Sequence, residues 1–478
     1  MALLSRLAAL CALALFALAT PAGAGPPGSW TKVTNFDSEA SNSDEVGVAR
    51  TGDGLLHVLW TQDTAVLSTR LSANAESVRG TRTVFTYGGA VGDVALLPTP
   101  SGGLRAFFSG LFDGDPHDVG MSTATSPDGV TWTVQPTLAS DAREGNRSPV
   151  YAAAGIGGTL FDNGTPLSIW GDSAPGAAAY HVGTGNQTPD VHFRSDAVTV
   201  GSPEAATDSA TGDVAVGWND FDSGSTLVGL VQQTIDPWFP LGATTTPPGG
   251  NAADPLFPVG MTGRSGGASG IFVAYLRGTN QFDSKPAVWR VGASGATNLS
   301  RADARYPGVT MGPDGRLWAF WAVQGETWDI HARRSNAAAT QWGEPVDLDP
   351  PAGTSTVWSL KGDGSAAACG ALDIVALATA GNDTANYHQR VLPGLTLKKK
   401  VLNGGRGETA KVRFRASDAG EPVDATIRFG AKQADTGDDG KVKLKLKRRL
   451  RTRKVRATAT DGCYTADTLR VKVKKLRQ

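Results

Sequence analysis

The 478-residue chain is neutral overall, with 45 basic and 45 acidic residues, 60 glycines, 27 prolines and 12 tryptophans. Three cysteines, widely spread, exclude a disulfide scaffold and lack metal-ligand spacing. The neutrality hides a division: residues 25–390 carry 20 basic against 36 acidic side chains, whereas residues 391–478 carry 24 basic against 9 acidic.

In chain order, Met1 to about Ala24 reads as a signal peptide, with Arg6 ahead of an apolar stretch and small residues at the end, so a secreted protein is expected. The stretch is short for a transmembrane anchor and no second one follows. Its removal takes away Cys11. Cys369 and Cys463 are then either one bridge between two domains, which an oxidising compartment permits, or two buried thiols.

From Gly25 to Leu392 one fragment returns: a Gly or Asp-Gly turn, then a short apolar run ending near an aromatic residue. It ends at Trp60, Phe108, Trp170, Trp218, Tyr275 and Trp321, and returns without its aromatic around Val375. The spacing, about 46 to 62 residues, is that of one four-stranded propeller blade. Leading strands are read at 44–50, 148–154, 202–208, 257–263 and 306–312, third strands at 329–335 and 386–392, and a fourth at 342–348. Seven anchors predict an all-β, seven-bladed β-propeller, with six blades as the alternative. The seventh repeat lacks an outer strand, and residues 29–36 match it, so the N-terminal piece is expected to close the ring. The tryptophans and phenylalanines are read mostly as blade-to-blade packing.

Ser126-Pro-Asp128-Gly129-Val-Thr-Trp132 resembles the Asp-box of sialidases, shortened by one residue, and residues 335–342 keep only its Ser, Thr and Trp. A Ser/Asp turn bonded to its own backbone, with Trp plugging the sheet, explains why these residue types occur together. With the repeats, most of residues 25–390 resembles the sialidase-like propeller superfamily. The resemblance implies a structural turn away from the catalytic face. It also implies, for an enzyme, three carboxylate-binding arginines, a Tyr–Glu pair and an acid/base Asp. The first of those arginines has no match, because Ser43-Asp44-Glu45-Val46 stands there. Arg147, Arg194 and Arg305 offer cations in other repeats, and Tyr306 is the best-placed phenol.

Residues that begin innermost strands or end second strands should meet at one mouth of the ring. They include Asp44, Glu45, Asp93, Glu204, Asp254, Asp63, Asp172, Asn219 and Asp220, with Arg147, Arg305 and Tyr306. Asp44, Glu45, Asp93, Arg147, Asp220 and Arg305 are the candidates for ligand binding, and Glu204, Asp254 and Tyr306 for catalysis. Clustered carboxylates suit calcium, or acid/base cleavage of a glycosidic bond, or simply a solvated rim. Two acidic loops, Asp113-Gly-Asp115-Pro-His-Asp118 and Asn219-Asp220-Phe-Asp222, hold oxygen donors of the kind calcium takes, without the length or terminal Glu of an EF-hand. No other cofactor is expected: no P-loop, dinucleotide fingerprint or nucleophile elbow occurs.

Residues 393–478 read as a basic β-sandwich of short alternating strands, which resembles bacterial Ig-like and carboxypeptidase-regulatory-like modules. Lys441, Lys443, Lys445 and Lys447 fall on one strand face, followed by Arg448, Arg449, Arg451, Arg453 and Lys454. This stripe suits an envelope polyanion, or docking on the acidic ring, or protection of a sheet edge. Nucleic acid is not expected, since almost no aromatics accompany it. The reading is a secreted, monomeric, extracellular recognition protein, associated with the cell surface through its basic module and binding a glycan or other surface ligand. The alternative is an exo-glycosidase of the sialidase class.

Overall fold

A computed structural model describes residues 29–34, 46–112, 119–139, 155–172, 177–183, 191–194, 200–220, 224–232, 241–250, 259–264, 269–278, 283–366, 368–402, 409–447 and 453–471. The segment read as a leader, and Asp44, Glu45, Asp113, Asp115, Asp118, Arg147, Asp222 and Asp254, lie outside them.

Among the described residues there is no helix, and neighbouring strands in every sheet are antiparallel. Each repeated apolar run is the second strand of its own sheet: Leu56–Gln62, Leu104–Leu111, Pro166–Asp172, Asp213–Asp220, Ile271–Gly278, Leu317–Gln324 and Leu372–Ala380. The first strands of these seven sheets are Gly47–Arg50, Val91–Pro98, Ile156–Leu160, Val200–Asp208, Gly260–Gly263, Arg305–Met311 and Thr354–Asp363. Each lies against the next, and Thr354–Asp363 lies against Gly47–Arg50, so the sheets form a ring of seven blades. Thr31–Lys32 pairs with Asp383–Val391 as the outer strand of blade 7, closing the ring as expected.

The packing explains why the fragment repeats. Between each pair of neighbouring blades lies a separate apolar cluster, seven in all among the described residues. Trp218, Trp318, Trp321 and Phe108 are fully buried in them. A lone blade would leave both of its apolar faces wet, and burial of such side chains contributes roughly 1.5–3 kcal/mol each.

One boundary differs from the sequence reading. The first strand that pairs with Pro166–Asp172 is Ile156–Leu160, and residues 148–154 are outside the described set. Its glycines resemble a turn in the sequence but answer a close approach instead. A Cβ at Gly157 would fall 2.5 Å from Glu204 Cα, and one at Gly158 would fall 2.7 Å from the Phe107 ring.

After Val391 the chain forms two further sheets. One contains Thr396–Leu402, Thr409–Asp418, Glu421–Pro422 and Lys441–Lys447. The other contains Lys432–Asp435, Ala425–Phe429, Arg453–Ala459 and Asp467–Val471. They enclose one core around Val412, Phe414, Ile427, Leu446 and Val455. Cys369 and Cys463 are bonded, tying this sandwich to the loop after the first strand of blade 7.

The sandwich meets the ring with its charges reversed from the simple expectation. Ring arginines meet sandwich carboxylates: Arg316 Nη1 donates to Asp418 Oδ2 at 2.7 Å and Nη2 to Glu421, and Arg334 Nη1 donates to Asp418 Oδ2 at 3.1 Å. The Ala337 amide donates to Glu421 Oε1 at 2.9 Å. Asp418 is buried, and burial pushes its carboxyl up, opposed by Arg334 and Arg316. Among the described residues, these ion pairs between sandwich and ring draw their cations from the ring.

Candidate functional site at the ring mouth

The first strands all begin at one end of the ring axis, here the near mouth. They bound a lumen of about 670 Å³ lined by residues from every blade, within the range of small-molecule sites. The charged residues among the described lining are Glu204, Lys361, Asp162 and Asp363. Glu204 from blade 4 and Lys361 from blade 7 meet across this lumen, Nζ to Oε2 at 3.3 Å. Small residues elsewhere make room for them: Gly157 abuts Glu204, and Gly260 and Gly308 approach so closely that an added Cβ would lie 2.8 Å from the neighbouring Cα.

Three first strands slip register as they enter the lumen, between Val91 and Val94, Gly201 and Glu204, and Arg305 and Gly308. Such bulges re-aim side chains at the ends of strands. Tyr306 occupies one of them with φ of 53°, a left-handed conformation that costs a bulky residue on the order of 1–3 kcal/mol. Its ring stacks on Trp328, centroids 6.5 Å apart and planes 27° apart, and Trp328 Nε1 donates to the Ser355 carbonyl at 3.2 Å.

Blade 7 adds a residue that the sequence reading passed over. Its first strand, Thr354–Asp363, is longer than its lumen-lining part, which starts at Leu360. The register also slips between Val357 and Ser359, and Trp358 stands at that slip, 44% exposed. Its indole Nε1 donates to Thr379 Oγ1 at 2.8 Å, which fixes the ring on the rim.

The expected residues divide by position. Glu204 lines the lumen, and Arg305 and Tyr306 begin the first strand of blade 6 at the same mouth. Asp93 is buried, and its Oδ2 accepts the Gly155 amide of the next blade at 2.7 Å, so it joins blades 2 and 3. Asp220 is buried at the end of its second strand, next to Asn219, whose Oδ1 accepts the Thr226 hydroxyl at 2.9 Å. Asp63 is exposed in the turn after Leu56–Gln62. No group of three or more metal-ligating side chains occurs among the described residues.

The turn at 126–132 lies on the far face. Ser126 Oγ accepts the Gly129 amide at 2.7 Å, and Asp128 Oδ1 accepts the Val130 and Thr131 amides, both at 2.8 Å. Those backbone hydrogen bonds hold the Asp128 carboxyl below its ordinary range. Gly129 has φ of 68°, and a Cβ there would strike the His57 ring of blade 1 at 1.9 Å, so glycine is required twice over. Trp132 packs into the cluster between blades 1 and 2. The turn Ser335–Trp342 reproduces this bonding with Asn336, whose Oδ1 accepts the Thr340 and Gln341 amides at 2.9 and 3.0 Å.

No family model matches the chain, and no curated protein matches it. Among solved structures it is similar to the polysaccharide lyase Uly1, at 10% identity and TM-score 0.41, over 76% of this chain and 92% of that one. It is also similar to the Hadza microbial sialidase Hz136, at 12% identity and TM-score 0.40, over 70% and 73% of the two chains. An α-L-arabinanase of Penicillium chrysogenum complexed with arabinobiose matches at 10% identity and TM-score 0.40, over 77% and 98%.

Proposed function

We propose that the protein is a secreted recognition protein whose near mouth binds a glycan, with the basic sandwich attaching it to the cell envelope. The observation that carries the glycan reading is Trp358, an exposed indole anchored by its own N–H two residues before its strand enters a largely apolar lumen that holds a few charged groups. A pyranose ring has an apolar C–H face and a hydroxyl edge. An aromatic ring beside charged groups satisfies both at once. Trp358 takes the C–H face, while Arg305 and the Lys361–Glu204 pair supply donors and acceptors to the hydroxyls.

Binding is favoured over hydrolysis by the company Glu204 keeps. Glycosidases of the usual kind place two carboxylates roughly 5–9.5 Å apart across the scissile bond. Glu204 faces a lysine. Isothermal titration against neutral oligosaccharides tests the reading: Trp358→Ala should weaken binding about tenfold or more while leaving the melting temperature unchanged. Turnover of fluorogenic glycosides that disappears in Glu204→Gln would replace recognition by catalysis.

A further inference from the structure

The sheet register of the sandwich turns its basic residues into a lattice. Lys400 stands opposite Arg413, and Arg413 opposite Lys443. The neighbouring rows are Lys398, Arg415 and Lys441 on one side, and Lys411 with Lys445 on the other. Alternate residues share a face, and the intervening Val412, Phe414 and Leu444 are buried in the core, so these cations all point outward. Arg413 is half-buried and the others are exposed. None of the named outward positions is acidic; Asp439 pairs with Lys441 at the margin.

We infer that this face docks on a linear anionic polysaccharide, with cations repeating about every 6.7 Å along a strand and about every 4.8 Å between strands. The ring does not consume the face, because the ring contact is made by Asp418 and Glu421. Its outward positions include no aromatic side chain to stack on a base, and one aliphatic side chain, half-buried Leu402 opposite Lys411, too little to enter a bilayer. A hydrated polymer bearing carboxylate or sulfate groups asks only for charge and reach. The inference deepens the attachment half of the proposed function and is independent of the glycan site at the mouth.

The test uses the full chain with polygalacturonate and dextran sulfate. Binding should be measurable at about 50 mM salt and fall steeply as salt rises. Lys411→Gln, Lys443→Gln and Lys445→Gln together should weaken it at least about tenfold and flatten the salt dependence. The ring-borne set Arg79→Gln, Arg82→Gln and Arg301→Gln removes the same charge from exposed positions and should leave binding unchanged. Equal weakening by both sets would overturn the inference, as would no binding at low salt. So would capture by phosphatidylglycerol vesicles with none by either polymer. Trp358→Ala should retain polymer binding, so failure at the mouth and failure of this face are read separately.

Discussion

At the scale of single residues, two buried titratable groups oppose each other. Burial pushes the Asp363 carboxyl, at the far end of the lumen, up to about 6, and lowers the His57 imidazole to about 4. Asp363 binds a proton in the folded state before the unfolded chain does, so its contribution rises as pH falls from about 6 towards 4. His57 does the reverse: the unfolded chain takes up the proton first, so stability is lost as pH falls from about 6.5 towards 4. Each shift corresponds to roughly 3 kcal/mol, so the two nearly cancel. Asp363→Asn should therefore steepen the loss of melting temperature between pH 7 and 4.5, and His57→Gln should flatten or invert it. Parallel profiles for both variants and the parent would refute the assignment. Residues of this scale were partly legible in the sequence. Glu204 was found from its place at the start of a strand, but its partner Lys361 lies 157 positions away across the lumen. Trp358 was grouped with the packing aromatics because alternation does not reveal the register slip that turns it outward.

At the scale of elements, the closure of the ring carries a concentrated polar lock. Arg50, in the first strand of blade 1, donates to Asp373 in blade 7 through Nε at 2.8 Å, and its Nη2 lies 2.7 Å from the same carboxylate oxygen. His388 Nε2 lies 2.9 Å from the other carboxylate oxygen. Asp373 is fully buried; burial alone would raise its pKa, but the His388 contact and the Arg50 charge hold it below the ordinary range. Removing one partner of such a group leaves a buried charge uncompensated, at a cost of about 3–5 kcal/mol. Denaturant unfolding of Asp373→Asn should show that loss, whereas Lys32→Ala, which breaks an exposed pair with Asp383 on the same blade, should cost under about 1 kcal/mol. Six of the second strands were legible because aromatic tips mark them directly, and the seventh, Leu372–Ala380, from its apolar run alone. The Asn336 turn was not, since its amide oxygen does the work of a carboxylate one position nearer the serine. The first strand of blade 3 was hidden by glycines whose purpose depends on neighbouring blades.

At the scale of the whole molecule, the charge division between residues 25–390 and 391–478 was plain, but its use was not. Attraction between an acidic ring and a basic sandwich is the direct reading, and the contact runs the other way through Arg316, Arg334, Asp418 and Glu421. Sequence alone cannot reveal this, because two carboxylates in a turn decide it against a large basic majority. Asp418→Asn should lower the melting temperature of the full chain clearly, by several degrees, because two arginines lose a shared buried partner. With Cys369 and Cys463 still bonded, the variant should stay cross-linked, read as a single band after limited proteolysis without reductant and two after reduction.

The sandwich meets blade 6 at the Asp314, Arg316 and Ala337 turns, on the side opposite the near mouth. Chain continuity and the cysteine bond hold it there at two points. The opening with Trp358 therefore lies on the side of the ring away from the sandwich, the side that the proposed attachment would leave free.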